Sequence, residues 1–192
     1  MLLQLRLFFI ALQFLTRVPT PRWVGFQPEW LNASARYFPL VGTLVGLVAG
    51  GTFWLASLGL PASVAAVVSI AATVLLTGAF HEDGLADTCD ALGGHVSRER
   101  ALEIMKDSRI GTYGAVSLIL VLGLKFATLS AMAPLLVIPA YALAHTASRA
   151  VPVVLIRWLS YAGTLEHSKA KPMAQQVTVA DVAVALLWVV LV

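Results

Sequence analysis

Between His81 and Gly94 the chain reads HEDGLADTCDALGG, and Glu82, Asp83, Asp87 and Asp90 place four of its ten acidic residues within nine positions. The run follows a long apolar stretch that carries no charge. Asp83, Asp87 and Asp90 are spaced i, i+4, i+7, which on a helix brings three carboxylates within an arc of about 60°. Like charges so placed repel one another, and they normally persist where a cation sits among them. Oxygen-only ligands suit a hard ion, and Mg²⁺ held by carboxylates commonly bridges to substrate phosphates. The expected chemistry is therefore Mg²⁺-assisted work on a phosphate group. Asp83, Asp87 and Asp90 are the expected ligands, Glu82, about a quarter turn away, is a supporting group at the metal, and the base is Glu82 or one of the aspartates. The bland reading of the same residues is a solvated acidic helix face just outside a membrane.

The loop that follows adds cations. Gly93-Gly94 is expected to end the acidic helix, and Ser97 to cap a short helix that continues through Asp107. Lys106, Asp107 and Arg109 then precede Ile110-Gly111-Thr112-Tyr113-Gly114. A lysine and an arginine three apart, an aspartate between them and glycines that allow close backbone approach fit a phosphate clamp. Basic residues at a helix end near anionic lipid are the alternative. Metal plus cationic side chains is the recurring way to hold a diphosphate, which favours the clamp.

Composition decides what must position these groups. The 192 residues are 59% hydrophobic and 12% charged, about half the charged fraction of a soluble domain. The chain is expected to be one all-α polytopic membrane domain, 1–192, with lipid as its surroundings. The net charge of +3 does not suggest nucleic acid. A single cysteine, Cys89, excludes an internal disulfide and reads as a small helix filler. Residues 2–15 are apolar but short for a crossing, and no small-x-small cleavage site follows. They read as an interfacial or re-entrant anchor. Spans are expected over about 38–60, 62–80, 113–132 and 134–159, with an incomplete fifth at 179–192 and the active-site loop at 81–112. Gly42, Gly46, Gly50 and Gly51 in the first span form a small-residue stripe for close helix packing.

Charge assigns the sides. Arg6, Arg17, Arg22 and Arg36 precede the first span, Arg98, Arg100, Lys106 and Arg109 lie between the second and third, and Arg157, Lys169 and Lys171 lie at or after the end of the fourth. The two hairpin turns carry none. The positive-inside rule makes the acidic side cytoplasmic. Three titratable residues fall inside spans: Lys125, His145 and Arg149. Such residues usually face a bundle interior or water. Lys125 is read as structural, snorkelling toward the far face. Arg149, nearer the cytoplasmic end, is read as a phosphate partner, with His145 one turn deeper in the same cavity.

HEDGLADTCDALGG followed by EIMKDSRIGTYG resembles the cobalamin synthase family, the adenosylcobinamide-GDP ribazoletransferases. FLTRVPTP, RYFPLVGTLVG and the Ser148-Arg149 pair resemble that family at matching relative positions. The resemblance covers nearly the whole chain. Leucine is frequent in the family where Glu82 stands, which ranks Glu82 below the aspartates. Members are usually longer, implying further spans after residue 192. More distantly, the acidic motif resembles the CDP-alcohol phosphotransferases. The resemblance implies substrates adenosylcobinamide-GDP and α-ribazole or its 5′-phosphate, Mg²⁺ as cofactor, GMP as leaving group, and a bacterial inner (cytoplasmic) membrane location. It leaves room for a homo-oligomer. The competing function is a cation transporter, but transporter sites tend to lie at the midplane of repeated halves, and no repeat is obvious here.

Overall fold

A computed structural model describes residues 2–160 and 177–192. All regular structure among the described residues is helical: α1 (Leu2–Leu15), α2 (Pro28–Ser34), α3 (Phe38–Ser57), α4 (Ala62–Thr77), α5 (Phe80–Gly93), α6 (Arg98–Ile104), α7 (Thr112–Ala131), α8 (Pro134–Trp158) and α9 (Val179–Leu191). Lys169 and Lys171, counted above among the basic residues, lie outside the described residues.

The centre of the bundle is the antiparallel pair α3 and α8. It forms because α3 has no side chains on one stripe. A Cβ on Gly42 would meet the carbonyl oxygen of His145, one on Gly46 would lie 2.5 Å from that of Tyr141, and one on Gly50 would lie 2.7 Å from Ile138 Cα. Numbers rise along α3 as they fall along α8, which fixes the antiparallel sense. A Thr43–Thr146 hydroxyl pair at 2.8 Å crosses the same seam. Gly51, the fourth glycine of the expected stripe, has nothing within 4 Å and takes no part. Gly46→Leu should force the two backbones apart and lower the thermal midpoint of the detergent-solubilised protein sharply, with a cost of about 3 kcal/mol or more from overpacking. An unchanged midpoint would refute the close seam.

Proline starts both helices: Pro39 and Pro134 occupy their first turns, where no intrahelical N–H is needed. Outward-facing Leu44, Leu47, Val48, Ile119 and Leu120 are exposed, as lipid contact requires.

Four full spans were expected; length and composition single out two, and a third if α4 and α5 together count as one bent span. The continuous run 28–57 and α7 are long and apolar enough to cross. Helix α4 has 16 residues, about 24 Å, which falls short of a bilayer core of about 30 Å. It does not run on to residue 80: it stops at Thr77, and α5 departs at 88°. The break is made by two successive left-handed residues, Gly78 at φ 69° and Ala79 at φ 60°. For alanine that conformation costs about 1–2 kcal/mol. The surrounding packing holds the bend. Arg17 donates its backbone N–H to Leu76 O at 2.8 Å, and its guanidinium lies over Gly78 where a Cβ would otherwise sit. Helix α8 is long enough at 25 residues but carries His145, Arg149 and Arg157. Helix α9 has 13 residues and is a short apolar helix, as expected.

Helix α1 does more than anchor. Leu7, Ile10, Ala11 and Leu15 are buried, and the Phe14 ring stacks on Phe38 at 5.7 Å and meets Phe80 edge-on at 5.4 Å. It thereby braces the start of α3 and the start of the acidic helix together. At the same end of the bundle Arg36 donates to Asp181 at 2.6 Å, and Asp181 also closes a capping box with Thr178 at the start of α9.

Candidate active site

Helix formation over Phe80–Gly93 places Asp83, Asp87 and Asp90 along one side of α5, as the spacing predicts. Gly94 ends it in an extended conformation, and a Cβ on Gly93 would meet the Tyr113 ring. Ser97 caps α6, accepting from the Arg100 amide at 3.3 Å; the helix stops at Ile104 and does not extend through Asp107. Cys89 is a free thiol, half-buried on α5.

The three aspartates do different things. Asp83 is exposed and Asp87 half-buried. Asp90 accepts the Gly111 amide at 2.7 Å on one oxygen and the Gly114 amide at 2.8 Å on the other. Those amides open α7, so Asp90 pins the acidic helix to the next span through the positive end of its dipole. Gly111 and Gly114 are required for this approach, because a Cβ on either would run into the Asp90 carboxylate. The compact three-carboxylate cluster expected from spacing is thus not gathered. Among the described residues, no three His, Cys, Asp or Glu side chains stand close enough to hold an ion together. Seven residues of helix separate Asp83 from Asp90 by about 10 Å along the axis, and Asp90 is turned to α7. Asp90→Asn should remove two charge-assisted hydrogen bonds at a half-buried site. The expected loss is about 2–3 kcal/mol of stability, read as a lowered thermal midpoint with the Mg²⁺ requirement unchanged.

The expected clamp is paired with itself. Arg109 donates Nη2 to Asp107 Oδ2 at 2.6 Å and Nε to Oδ1 at 3.0 Å. This exposed fork holds the Asp107 carboxyl at about 2, below its ordinary value. The pair therefore persists above the normal carboxylate range and is lost only as pH falls through about 2. Lys106 is exposed beside it. Gly111 connects this loop to Asp90, so the clamp lies at the C-terminal half of α5.

Arg149 faces elsewhere. It is 4% exposed and donates Nη1 to His145 O at 3.2 Å and to Ser148 Oγ at 3.3 Å, with His145 Nδ1 at 3.1 Å. Its Nε is buried without a partner. It borders a cavity of about 550 Å³ that also takes in Glu82, His81, Lys125, Tyr141 and His145. The cavity exists because α7 packs on α4 and α5 and stands away from α8. Glu82, ranked below the aspartates by sequence, is the carboxylate that lines this cavity together with Lys125 and Arg149. No ion pair joins it to either among the described residues, and its Oε2 is buried without a partner. Lys125 does not snorkel outward. It turns into the cavity, with Nζ 5.5 Å from the centre of the Tyr141 ring, and Tyr141 is fixed by its hydroxyl against Ser69 Oγ at 2.9 Å. Its inward direction follows from the stand-off of α7, which the sequence does not signal.

The family model for cobalamin-5-phosphate synthase matches residues 7–192. The chain belongs to this family. Among cobalamin-5-phosphate synthase relatives, the adenosylcobinamide-GDP ribazoletransferase of Leptothrix cholodnii is 62% identical over 97% of this chain and 72% of its own length. That of Shewanella frigidimarina is 48% identical over 95% of this chain and 71% of its own. That of Shewanella woodyi is 47% identical over 98% and 75%. No solved structure matches the chain. In this cobalamin-5-phosphate synthase chain, α5 borders the polar cavity at its first turn through His81 and Glu82 and holds the Lys106–Arg109 loop at its other end through Asp90 and Gly111.

Proposed function

We propose that the protein is an adenosylcobinamide-GDP ribazoletransferase acting at the cytoplasmic face of a bacterial inner membrane. In that reaction a ribose hydroxyl of α-ribazole, or of its 5′-phosphate, attacks the phosphorus attached to cobinamide and GMP leaves. The observation that carries the reading is one acidic helix, in a chain of this family, whose first turn borders a cavity lined by Lys125 and Arg149 and whose other end holds the Lys106–Arg109 loop.

The donor set suits Mg²⁺. This ion usually keeps several waters and takes only one or two carboxylates plus substrate phosphates, which Asp83 and Asp87 supply without Asp90. Bound there, it would supply charge neutralisation of the diphosphate. The chain's own residues do the rest. Lys106 offers a point charge to phosphate, and Arg109 offers its fork on exchange of Asp107 for a phosphate oxygen. Asp90 holds that loop in place. A carboxylate of α5, Asp83, Asp87 or Glu82, takes the hydroxyl proton. The test is GMP release from adenosylcobinamide-GDP and α-ribazole by the protein in membranes, with and without Mg²⁺. Release that requires both substrates is expected. A folded protein that never releases GMP refutes the assignment.

The cytoplasmic orientation rests on the basic residues gathered at the site's end of the bundle. A cysteine placed in the Pro61 turn should label from outside the cell, and one at Gly94 should not. The reverse labelling pattern would overturn the orientation.

A further inference from the structure

We infer that the N-terminal arm, residues 2–30, is a binding surface for anionic phospholipid headgroups. Arg6 and Arg22 are the cations that meet the lipid phosphate, and Trp23 and Phe26 are the side chains that enter the lipid beside it. None of these residues lines the polar cavity or belongs to the acidic helix and its loop, so the surface does not depend on the transferase activity.

The arm lies across one end of the bundle. On α1, Gln4 accepts from the Tyr37 hydroxyl at 2.7 Å, while Phe14 stacks on Phe38. The stretch of helix from Gln4 to Phe14, about 15 Å long, thus joins two points that meet adjacent residues at the start of α3. Helix α1 therefore crosses α3 and does not run beside it. The chain then doubles back along α1. Thr20 donates to Gln13 at 2.8 Å, the Trp23 ring meets Phe9 edge-on at 5.6 Å, and Arg6 lies 5.3 Å from the centre of the Trp30 ring. Residue numbers rise along the return as they fall along α1, and buried Val24 pins the turn between them. An apolar helix laid crosswise at the end of a membrane bundle sits at headgroup depth.

Its exposed side chains are of the two kinds that an anionic interface takes. Leu2, Leu3, Leu5, Trp23 and Phe26 are exposed, and tryptophan is favoured at the level of the headgroups. The second kind is cationic. Residues 2–37 carry four arginines and one acid, Glu29. Arg36 is taken by Asp181, and Arg17 by the bend at Gly78. Arg6 and Arg22 remain, and among the described residues no carboxylate pairs with either. Arg22 is exposed next to Trp23. Arg6 is held over Trp30, and its Nε is buried without a partner. A guanidinium held flat on an indole still has its edge for a phosphate oxygen. Two unpaired cations among exposed aromatic side chains at headgroup depth match a phosphodiester of net negative charge. A choline headgroup neutralises its own phosphate and offers them no such gain.

The experiment measures Kd of the detergent-solubilised full chain for phosphatidylglycerol and for phosphatidylcholine by native mass spectrometry. One arginine near anionic lipid is worth about fivefold in affinity, so wild type should prefer phosphatidylglycerol by about tenfold or more. Arg22→Gln should cut that preference about fivefold, and the Arg6→Gln/Arg22→Gln double variant should bring it below about threefold. Trp23→Ala should weaken both lipids alike. Arg157→Gln removes an exposed cation of α8 outside the arm and should leave the preference intact. Thermal midpoints in phosphatidylcholine nanodiscs report folding. If Arg6→Gln does not fold, Arg22→Gln carries the test alone, because its side chain is exposed. Equal affinity of wild type for the two lipids overturns the assignment, and so does an unchanged preference in folded Arg22→Gln. A loss in Arg157→Gln as large as in Arg22→Gln would make the preference a diffuse effect of net charge and remove the arm as its seat. Displacement of the lipid by inorganic phosphate would make the occupant a free anion. If Trp23→Ala separates a dimer of the chain and leaves lipid affinity unchanged, the face is an interface between copies and the lipid assignment falls.

Discussion

Asp83→Asn and Asp87→Asn should each slow GMP release by about 10²–10³-fold, a loss of about 3–4 kcal/mol of transition-state stabilisation, and leave the bundle folded. Neither substitution changes volume, and Asp83 is exposed, so packing does not suffer there. What is removed is charge at the two positions of α5 best suited to a hydrated Mg²⁺ bridging to diphosphate. The Mg²⁺ concentration at half-maximal rate should therefore rise in both variants, and excess Mg²⁺ should restore part of the rate. The double variant should be little worse than either single one, because groups acting as a unit lose function non-additively. Asp90→Asn is the internal contrast. Its carboxylate is committed to the Gly111 and Gly114 amides, so it should lose thermal stability and keep the wild-type Mg²⁺ dependence. If Asp87→Asn retains full activity with an unshifted Mg²⁺ titration, the acidic face has no part in metal binding. If Asp90→Asn shifts the titration as far as Asp83→Asn does, Asp90 belongs on the metal after all.

That contrast also marks where sequence reasoning reached and where it stopped. Local signals were legible because their causes are local. Apolar runs ending at glycine or proline gave the helices, i, i+4, i+7 spacing gave the carboxylate face of α5, Ser97 gave the cap of α6, and Gly42, Gly46 and Gly50 gave a close-packing face on α3 but not its partner α8. The partner of Asp90 was not legible, since its two amides lie 21 and 24 residues away and carry no side-chain signature. The pair Arg36–Asp181 is hidden for the same reason, at a separation of 145 residues. The 88° bend was hidden because its second left-handed residue is alanine, a type that gives no turn signal; it is held by Arg17 from a distant segment. Lys125 reads as an outward snorkel on hydropathy alone. Only the gap between α7 and α8 gives it an inward place to go.

Arg149→Lys and Arg149→Met should both cut turnover a hundredfold or more in protein that still inserts. Arg149 is pressed against α3, where a Cβ on Gly42 would lie 2.7 Å from its Cδ, so its stem has one path and its guanidinium is delivered to the cavity in a fixed orientation. One nitrogen is held by His145 and Ser148, and Nε is left buried and unpartnered. A planar fork so held can present two parallel donors to a phosphate; the lysine ammonium is a point charge on a flexible stem and cannot. The methionine variant removes the charge as well and leaves Lys125 as the remaining lysine or arginine lining the cavity with Glu82. If Arg149 served only as the counter-ion of a buried carboxylate, removing it would cost about 3–5 kcal/mol of folding, the methionine variant would fail to accumulate, and the lysine variant would behave as wild type. A site role gives a different pair of results: both variants reach the membrane and both lose turnover, the lysine variant too because it keeps the charge and loses the planar fork. A methionine variant that is stable and fully active would remove Arg149 from the site altogether.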